Sequence, residues 1–457
     1  MNKQDILIQL QNIVGEDFVS NRSEELYIYS QDPGASIPRP IDFVILPKTV
    51  EEVQSIVKLA NENKIPIVPM GGGLTLSGLV IPLKRGIVID MKRMNNIIEI
   101  NTWSRYAVVE AGVTTGQILS YLNENYPDLQ PPIPDAPTSA TVAGNMLIHG
   151  SGYLSQKYGC HSSMINGLEV VLPTGEICKF GSCAISDYWF SKGPIPDLVG
   201  LFTSAFGTMG IVTKISIKLF PKPKFRDMVF GFLEGFTDLP KLISKITFTE
   251  LAEDILIAKG DVPEVFKNFA MLMVYIVGNS EDELEFKRKT IEKIYKEYNA
   301  RVTPLEGKAR ERLMAQPQYG AALAADWRKG GGFEYVGSFI PLEKIPEAIE
   351  KGTAISRKYG LLTSLLFRLI GRGHAVMFSV TFPFNRADPN DLINTRKGLE
   401  ETDKMILEIG GIPWKAEFAG QKLILEKIDP KFKELFKNIR KIFDPNEIMN
   451  PGNWEVN

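Results

Sequence analysis

Two stretches of this 457-residue chain carry residue types suited to holding an anion by backbone groups. One is Gln130–Gly159, QPPIPDAPTSATVAGNMLIHGSGYLSQKYG, whose four prolines in the first eight residues forbid a regular helix or a central strand. Small residues from Thr138 to Asn145 then leave N–H groups with little side-chain cover, and Gly144, Gly150, Gly152 and Gly159 permit close approach. The other is the glycine-rich run GGGLTLSG, between Met70 and Leu79. Amides and hydroxyls arranged in this way suit a pyrophosphate. The plainer alternative is a surface loop, where Pro and Gly collect. Groups for proton transfer are sparse. His374 heads the apolar run HAVMFSVTF and reads either as a strand-edge residue or as a general base. Lys415 follows Trp414, which joins a cation to an aromatic face; the alternative is a surface lysine beside a packed tryptophan.

The elements that must position these groups are legible from spacing. Phe43–Leu46 reads as a strand, and Thr49 opens a capping box before Val53, Ile56, Val57 and Ala60 at helical spacing. The strand beginning at Ile65 runs into the glycines. A Rossmann turn is rejected there: Gly78 stands where no fingerprint glycine belongs, and Pro82 closes the segment before a helix can form. Strands follow at Gly86–Asp90, Ile97–Ile100 and Tyr106–Glu110, then a helix from Thr114 with a capping box through Gln117. Gly167–Gly181 reads as a hairpin turning at Pro-Thr-Gly, and the chain then forms a helix-glycine-strand unit ending at Pro223. From Phe225 the periods lengthen. Strands at Met228–Leu233, Met271–Val277, Leu361–Ile370 and His374–Phe382 alternate with helices near Leu239–Ile246, Ser280–Tyr298 and Asp391–Ile409, with Gly307–Arg312 as a basic, flexible stretch.

Bulk properties exclude several classes. The length argues for more than one core. With 52 basic and 54 acidic residues there is no broad field for nucleic acid, and Lys218, Lys222, Lys224 and Arg226 read as a solvated linker. Cys160, Cys178 and Cys183 lack CxxC spacing, which argues against a disulfide framework, a zinc site or a cluster held by this chain alone. No run approaches the roughly 18 apolar residues of a membrane span. A cytoplasmic protein without an integral membrane segment is expected.

Five motifs stand in order: PKTVEEV before GGGLTLSG, PDAPTSATVAGN, KYGCHSSMINGLEVVLPTGEI, GTMGIVTKISIKLFPKP and DPNEIMNPGNW. With them the chain resembles the vanillyl alcohol oxidase and p-cresol methylhydroxylase superfamily. That superfamily also contains flavoprotein subunits of glycolate oxidase and D-lactate dehydrogenase. The resemblance implies an α+β fold, with a two-subdomain FAD-binding domain of the p-cresol methylhydroxylase (PCMH) type over residues 1–223. A ferredoxin-like α+β cap over 224–423 and a segment over 424–457 returning to the FAD domain complete it. It implies FAD contacts from Met70, Gly71, Gly72, Gly73, Leu74, Ser77 and Gly78 on the glycine loop. Pro134, Thr138, Ser139, Thr141, Gly144, Asn145, Gly152, Tyr153 and His161 would supply the second wall, and Gly210, Ile211, Val212 and Asn450 the rest.

Departures from the family pattern carry expectations too. Leu74 stands where some members tether FAD through histidine, so non-covalent FAD is expected. Cys160 replaces an acid of the vanillyl branch and reads as a small buried residue. Glu417 falls at the place of a metal-binding glutamate, but Phe418 replaces the histidine after it and His374 has no histidine partner, so no metal is expected. Trp414 and Lys415 replace a Tyr-Arg pair that holds a phenolate. Arg368 and Arg372 are further anion partners, and Tyr153 and Tyr335 would face the flavin.

The expected activity is oxidation of a small alcohol or 2-hydroxy acid by hydride transfer to flavin N5. His374 or Glu417 would act as base, Lys415 would bind the substrate anion and Trp414 would shape the pocket. Electrons would pass to a protein or quinone-type acceptor, with an iron–sulfur or electron-transfer flavoprotein partner and a homo-oligomeric assembly as further expectations. The alternatives are a p-alkylphenol or aryl-alcohol oxidase and a non-catalytic FAD electron-transfer subunit.

Overall fold

The computed structural model describes residues 2–260, 264, 267–315 and 330–455. Near the N-terminus a four-stranded sheet is built around Ile87–Asp90, which pairs in parallel with Phe43–Ile45 and Ile67–Met70. The helix Val50–Asn63 connects those two outer strands. Thr49 caps it by accepting from the Glu52 amide, and Val53, Ile56, Val57 and Ala60 form its buried stripe. A second, antiparallel sheet of five strands carries Tyr106–Glu110, Ile165–Val171, Ile177–Gly181 and Ile211–Lys218. Between the two, Thr114 and Gln117 close both bonds of a capping box at the start of helix Thr115–Asn125, worth about 1 kcal/mol. One apolar core joins both sheets, and Ile448 and Met449 belong to it. Met449 bridges to Ile67, so the C-terminal segment lies beside the strand that feeds the glycine loop.

The cap is a single eight-stranded antiparallel sheet. It contains two ferredoxin-like units rather than one. Phe225–Glu234, Leu239–Thr247, Ala252–Gly260, Phe269–Gly278, Glu281–Glu297 and Arg301–Val302 follow in β-α-β-β-α-β order. Gly331–Ile340, Ile345–Lys358, Ser364–Ile370, Ala375–Asn385, Pro389–Glu408 and Ile412–Trp414 repeat that order. The units join edge to edge, with Leu256 opposite Arg368. Alternation along the strands sends Ile255, Ile257, Phe367, Phe378 and Val380 into a core beneath the four helices. The opposite face, with Met377, Phe339 and Trp414, packs towards Cys160 of the FAD domain.

Three local expectations change. Gly307–Met314 is a helix, not a flexible stretch. Ala252–Gly260 is a full strand that the spacing analysis passes over. After Asp197 there is only a 3-10 turn, Val199–Phe202, because Ser204, Phe206 and Gly207 take positive φ and end any helix there.

Candidate active site

Strand Ile67–Met70 delivers the glycine loop to the wall of a cleft with about 1120 Å³ of empty space. Met70, Gly71, Gly72, Gly73 and Leu74 line it from one side, and Thr141, Gly144 and Asn145 from another. Gly210, Ile211 and Val212 complete the ring. Two glycines are required by proximity. A Cβ on Gly71 would sit 2.3 Å from Thr141 Oγ1, and one on Gly72 would sit 2.9 Å from the Ser139 carbonyl oxygen. Among the described residues, no acceptor takes the amides of Gly71, Gly72 or Gly73, and the buried Thr75 hydroxyl has no partner. Unpaired donors around a glycine-walled cleft fit the pyrophosphate of a dinucleotide.

Other sequence-predicted cofactor residues do not line this cleft. The amides of Ser77 and Gly78 donate instead to Glu334 Oε2 and Asp32 Oδ2, at 3.2 and 2.7 Å. Pro134 and Gly152 pair across a short ladder, and Thr138 and Ser139 are exposed. The Tyr153 hydroxyl lies 3.2 Å from Glu253 Oε1, at the seam with the cap. His161 is fully buried, with ring nitrogens 2.6 Å from Asn145 Oδ1 and 3.3 Å from the Tyr153 carbonyl oxygen. Burial pushes its pKa down to about 3, so it is a neutral strut behind Asn145. Asn450 donates to the carbonyls of Leu79 and Phe206, which fixes two loops around the cleft. These residues brace the site from behind.

A second cavity, with about 1010 Å³ of empty space that is partly open to solvent, gathers Trp414, Lys415 and Glu417 from the cap. It adjoins the cleft through two bonds. Lys415 donates to the Thr75 carbonyl, and Trp414 Nε1 donates to the Ile148 carbonyl at 2.6 Å; Thr75 and Ile148 both line the cleft. The Lys415 ammonium is 4.3 Å from the Tyr335 ring centroid and 5.1 Å from that of Trp414. Lys415 itself sits at φ 52°, a strained left-handed conformation that aims the side chain inward. Burial pushes the Glu417 carboxyl up from the ordinary value, with Glu400 adding to the shift.

Glu334, 1% exposed, accepts from the Ala35 and Ser77 amides, and burial helped by Asp32 pushes its pKa to about 7. Its native form therefore holds the proton more tightly than the unfolded chain does. The stability this contributes is full below the ordinary value of 4.5 and is lost as pH rises through about 7. Urea unfolding of wild type and Glu334→Gln at both ends of that window should differ in pH response by on the order of 3 kcal/mol. Parallel pH profiles would show that Glu334 does not titrate there.

The remaining sequence candidates fall elsewhere. His374 is exposed in the turn between Ser364–Ile370 and Ala375–Asn385 and lines neither cavity. The tight turn Gly371–Gly373, with Arg372 at φ 62°, closes the hairpin so that the strand begins only after His374. Arg372 pairs with Glu250 at the surface. Arg368 is 1% exposed and is bound by Asp254 through two bonds of 3.1 and 2.9 Å, and by Asp135. Its charge is thus balanced within the protein. Cys160 is buried against Ile370 and Met377, and burial pushes its thiol up to about 12, so it is inert packing. Among the described residues, no group of three or more His, Cys, Asp or Glu side chains is placed to hold a metal ion.

Asp135, Asp254, Glu334 and Asp403 are functional candidates that spacing analysis does not single out. One signal was available for Asp403: it shares the buried face of helix Pro389–Glu408 with Leu399, Thr402 and Ile406, where an acid is out of place.

The cleft and the two-layer cap define an FAD-binding protein of the PCMH type. Residues 41–181 match the FAD binding domain family, and residues 249–454 match the FAD linked oxidases, C-terminal domain. The chain belongs to the FAD-linked oxidases; FAD is its cofactor, and it is an FAD-dependent oxidoreductase. The glycolate oxidase subunit GlcD of Bacillus subtilis (strain 168) is 27% identical over 473 residues, covering 99% of this chain and 97% of that protein. A D-lactate dehydrogenase of Anaerostipes hadrus is 26% identical over 462 residues, covering 96% of this chain and 92% of that protein. Among solved structures, p-cresol methylhydroxylase with substrate bound superposes with a TM-score of 0.87 at 23% identity, covering 99% of this chain and 97% of that one.

Proposed function

We propose that this protein oxidises the CH–OH group of a small 2-hydroxy acid or alcohol, seated in the cavity of Lys415, Trp414 and Glu417. The observation that carries this reading is the Lys415 ammonium. It is 5% exposed, and among the described residues no carboxylate forms an ion pair with it. Glu334 in the same lining acts on it from further off, and burial pushes that carboxyl towards its neutral form, so the buried cation is costly unless an anion joins it. The substrate carboxylate fills that role, and the relatives named for glycolate and lactate favour the same substrate class.

FAD, when bound non-covalently beside Leu74, supplies the hydride acceptor. Lys415 orients the acid, Trp414 and Tyr335 exclude water from one side, and Glu417, rather than the solvent-exposed His374, takes the hydroxyl proton. Burial raises the proton affinity of Glu417 above that of an ordinary carboxylate, the direction a general base needs. Electrons would leave to a protein or quinone-type acceptor, through an iron–sulfur or electron-transfer flavoprotein partner in the cytoplasm.

Anaerobic flavin bleaching tests this reading directly. Glycolate or a lactate enantiomer should reduce the flavin, and Lys415→Met should lower kcat/KM for the acid by roughly a hundredfold, as loss of one member of a buried charge pair does. An unchanged kcat/KM would remove Lys415 from the site. A second reading, a p-alkylphenol oxidase, rests on the aromatic wall, with the Tyr335 and Trp414 ring centroids 6.3 Å apart. Faster bleaching by p-cresol than by any hydroxy acid would favour it.

A further inference from the structure

The cavity holding Lys415 extends well beyond the space a two- or three-carbon acid needs, and one wall of it is unusual. Asp403 lines that wall, is 1% exposed, and has no hydrogen-bond partner on either carboxylate oxygen. Its Oδ2 lies so close over the first turn of helix Phe418–Lys427 that a Cβ on Gly420 would come within 2.5 Å. Arg39 and Arg396 line the same cavity. Arg39 has no ion pair among the described residues, while Arg396 Nε donates to the Ala35 carbonyl at 2.6 Å. A buried carboxyl group with nothing to bond is rare in folded proteins, and a ligand group is one way to complete it.

The chemistry of that group follows from its neighbours. Arg39 and Arg396 are offset by Glu400 and Glu417 in the same lining, so charge alone does not select an ammonium. A carboxylate would bond only the protonated form of Asp403. A hydroxyl both donates and accepts, so it pairs with Asp403 in either state.

We infer that the substrate is a longer, polyhydroxylated 2-hydroxy acid, whose carboxylate sits at Lys415 and whose distal hydroxyl is bound by Asp403. This rests on the reading of the Lys415 cavity as the substrate site. It adds a specificity-determining residue that acts on the substrate's chain rather than on its carboxylate.

Three acids of equal carbon count make the test: gluconate, 2-hydroxyhexanoate and 2-hydroxyadipate, each used to reduce the flavin of the holoenzyme anaerobically. The kcat/KM for gluconate should exceed that for 2-hydroxyhexanoate by about tenfold, the effect of leaving a buried polar group unpaired with the wrong substrate. In Asp403→Leu the ratio should fall to about one. A ratio near one in wild type overturns the inference, and that comparison needs no variant to fold. A ratio preserved in Asp403→Leu, or 2-hydroxyadipate as the best substrate, overturns it as well. If glycolate and lactate reduce the flavin while the ratio is one, only this inference fails. If no hydroxy acid of any length reduces it, the proposed function fails with it.

Discussion

Arg368→Leu is expected to destabilise the protein by about 3–5 kcal/mol, read as a lower urea midpoint. Leucine removes the one cation that faces two carboxylates. Asp254, 0% exposed, is left with only the weaker influence of Arg226 to offset its charge, and Asp135 loses its partner as well. Burial already pushes Asp135 up to about 6 with the arginine present, so the site has little spare solvation to offer. The loss is also architectural. Arg368 stands on strand Ser364–Ile370 and Asp254 on Ala252–Gly260, the two strands that join the halves of the cap. Asp135 belongs to the proline-rich segment of the FAD domain. The triad therefore pins the cap to the segment that walls the cofactor. Adding Asp254→Asn to Arg368→Leu should recover part of the stability, because a neutral amide replaces the stranded charge. A double variant no more stable than the single one would mean that packing of the arginine stem, not charge, was lost.

That triad also shows why the sequence is only partly legible. The glycine loop, the capped helices and the cap helices with regular apolar stripes read directly, because local propensity and pattern agree with the fold. Strand Ala252–Gly260 does not. Glu253, Asp254 and Lys259 interrupt its apolar alternation, and the two acids are buried because distant residues compensate them: Lys157 and Tyr153 for Glu253, Arg368 for Asp254. No spacing rule within nine residues can report a partner more than a hundred positions away. The same limit applies to the catalytic candidates. Lys415 and Glu417 share a cavity because one short strand and the helix after it project both residues toward it. His374 reads equally well from its apolar strand. The residues before it form a tight glycine turn, which leaves the imidazole in solvent. Family resemblance points to the glycine loop as the one expected to hold FAD. Which of its residues face the cleft depends on Asp32 and Glu334 claiming the amides of Gly78 and Ser77 from outside.

Gly72→Val should produce a folded protein that retains little FAD. The argument is steric and concerns backbone alone. A Cβ at this position would lie 2.9 Å from the Ser139 carbonyl oxygen, 3.2 Å from Ala140 Cα and 3.4 Å from the Thr141 amide nitrogen. No side-chain rotation relieves such contacts, so the glycine loop and the Ser139–Thr141 segment must separate. Both segments contribute to the cleft, through Met70–Leu74 on one and Ala140 and Thr141 on the other, and their separation would misalign the unpaired amides of Gly71–Gly73. Overpacking of this kind costs about 1–3 kcal/mol, and its upper end corresponds to roughly a hundredfold in the Kd for FAD. Flavin absorbance per protein should fall sharply, while circular dichroism stays that of the wild type. Gly200→Ala is the matched control, since nothing lies within 4 Å of a Cβ there, and it should keep its flavin. Full flavin content in Gly72→Val would mean that the two walls can part without cost and that the cofactor is held by other contacts. Loss of flavin in both variants would point instead to general fragility of the FAD domain. Only loss confined to Gly72→Val ties cofactor affinity to the close approach of the glycine loop and the Ser139–Thr141 backbone.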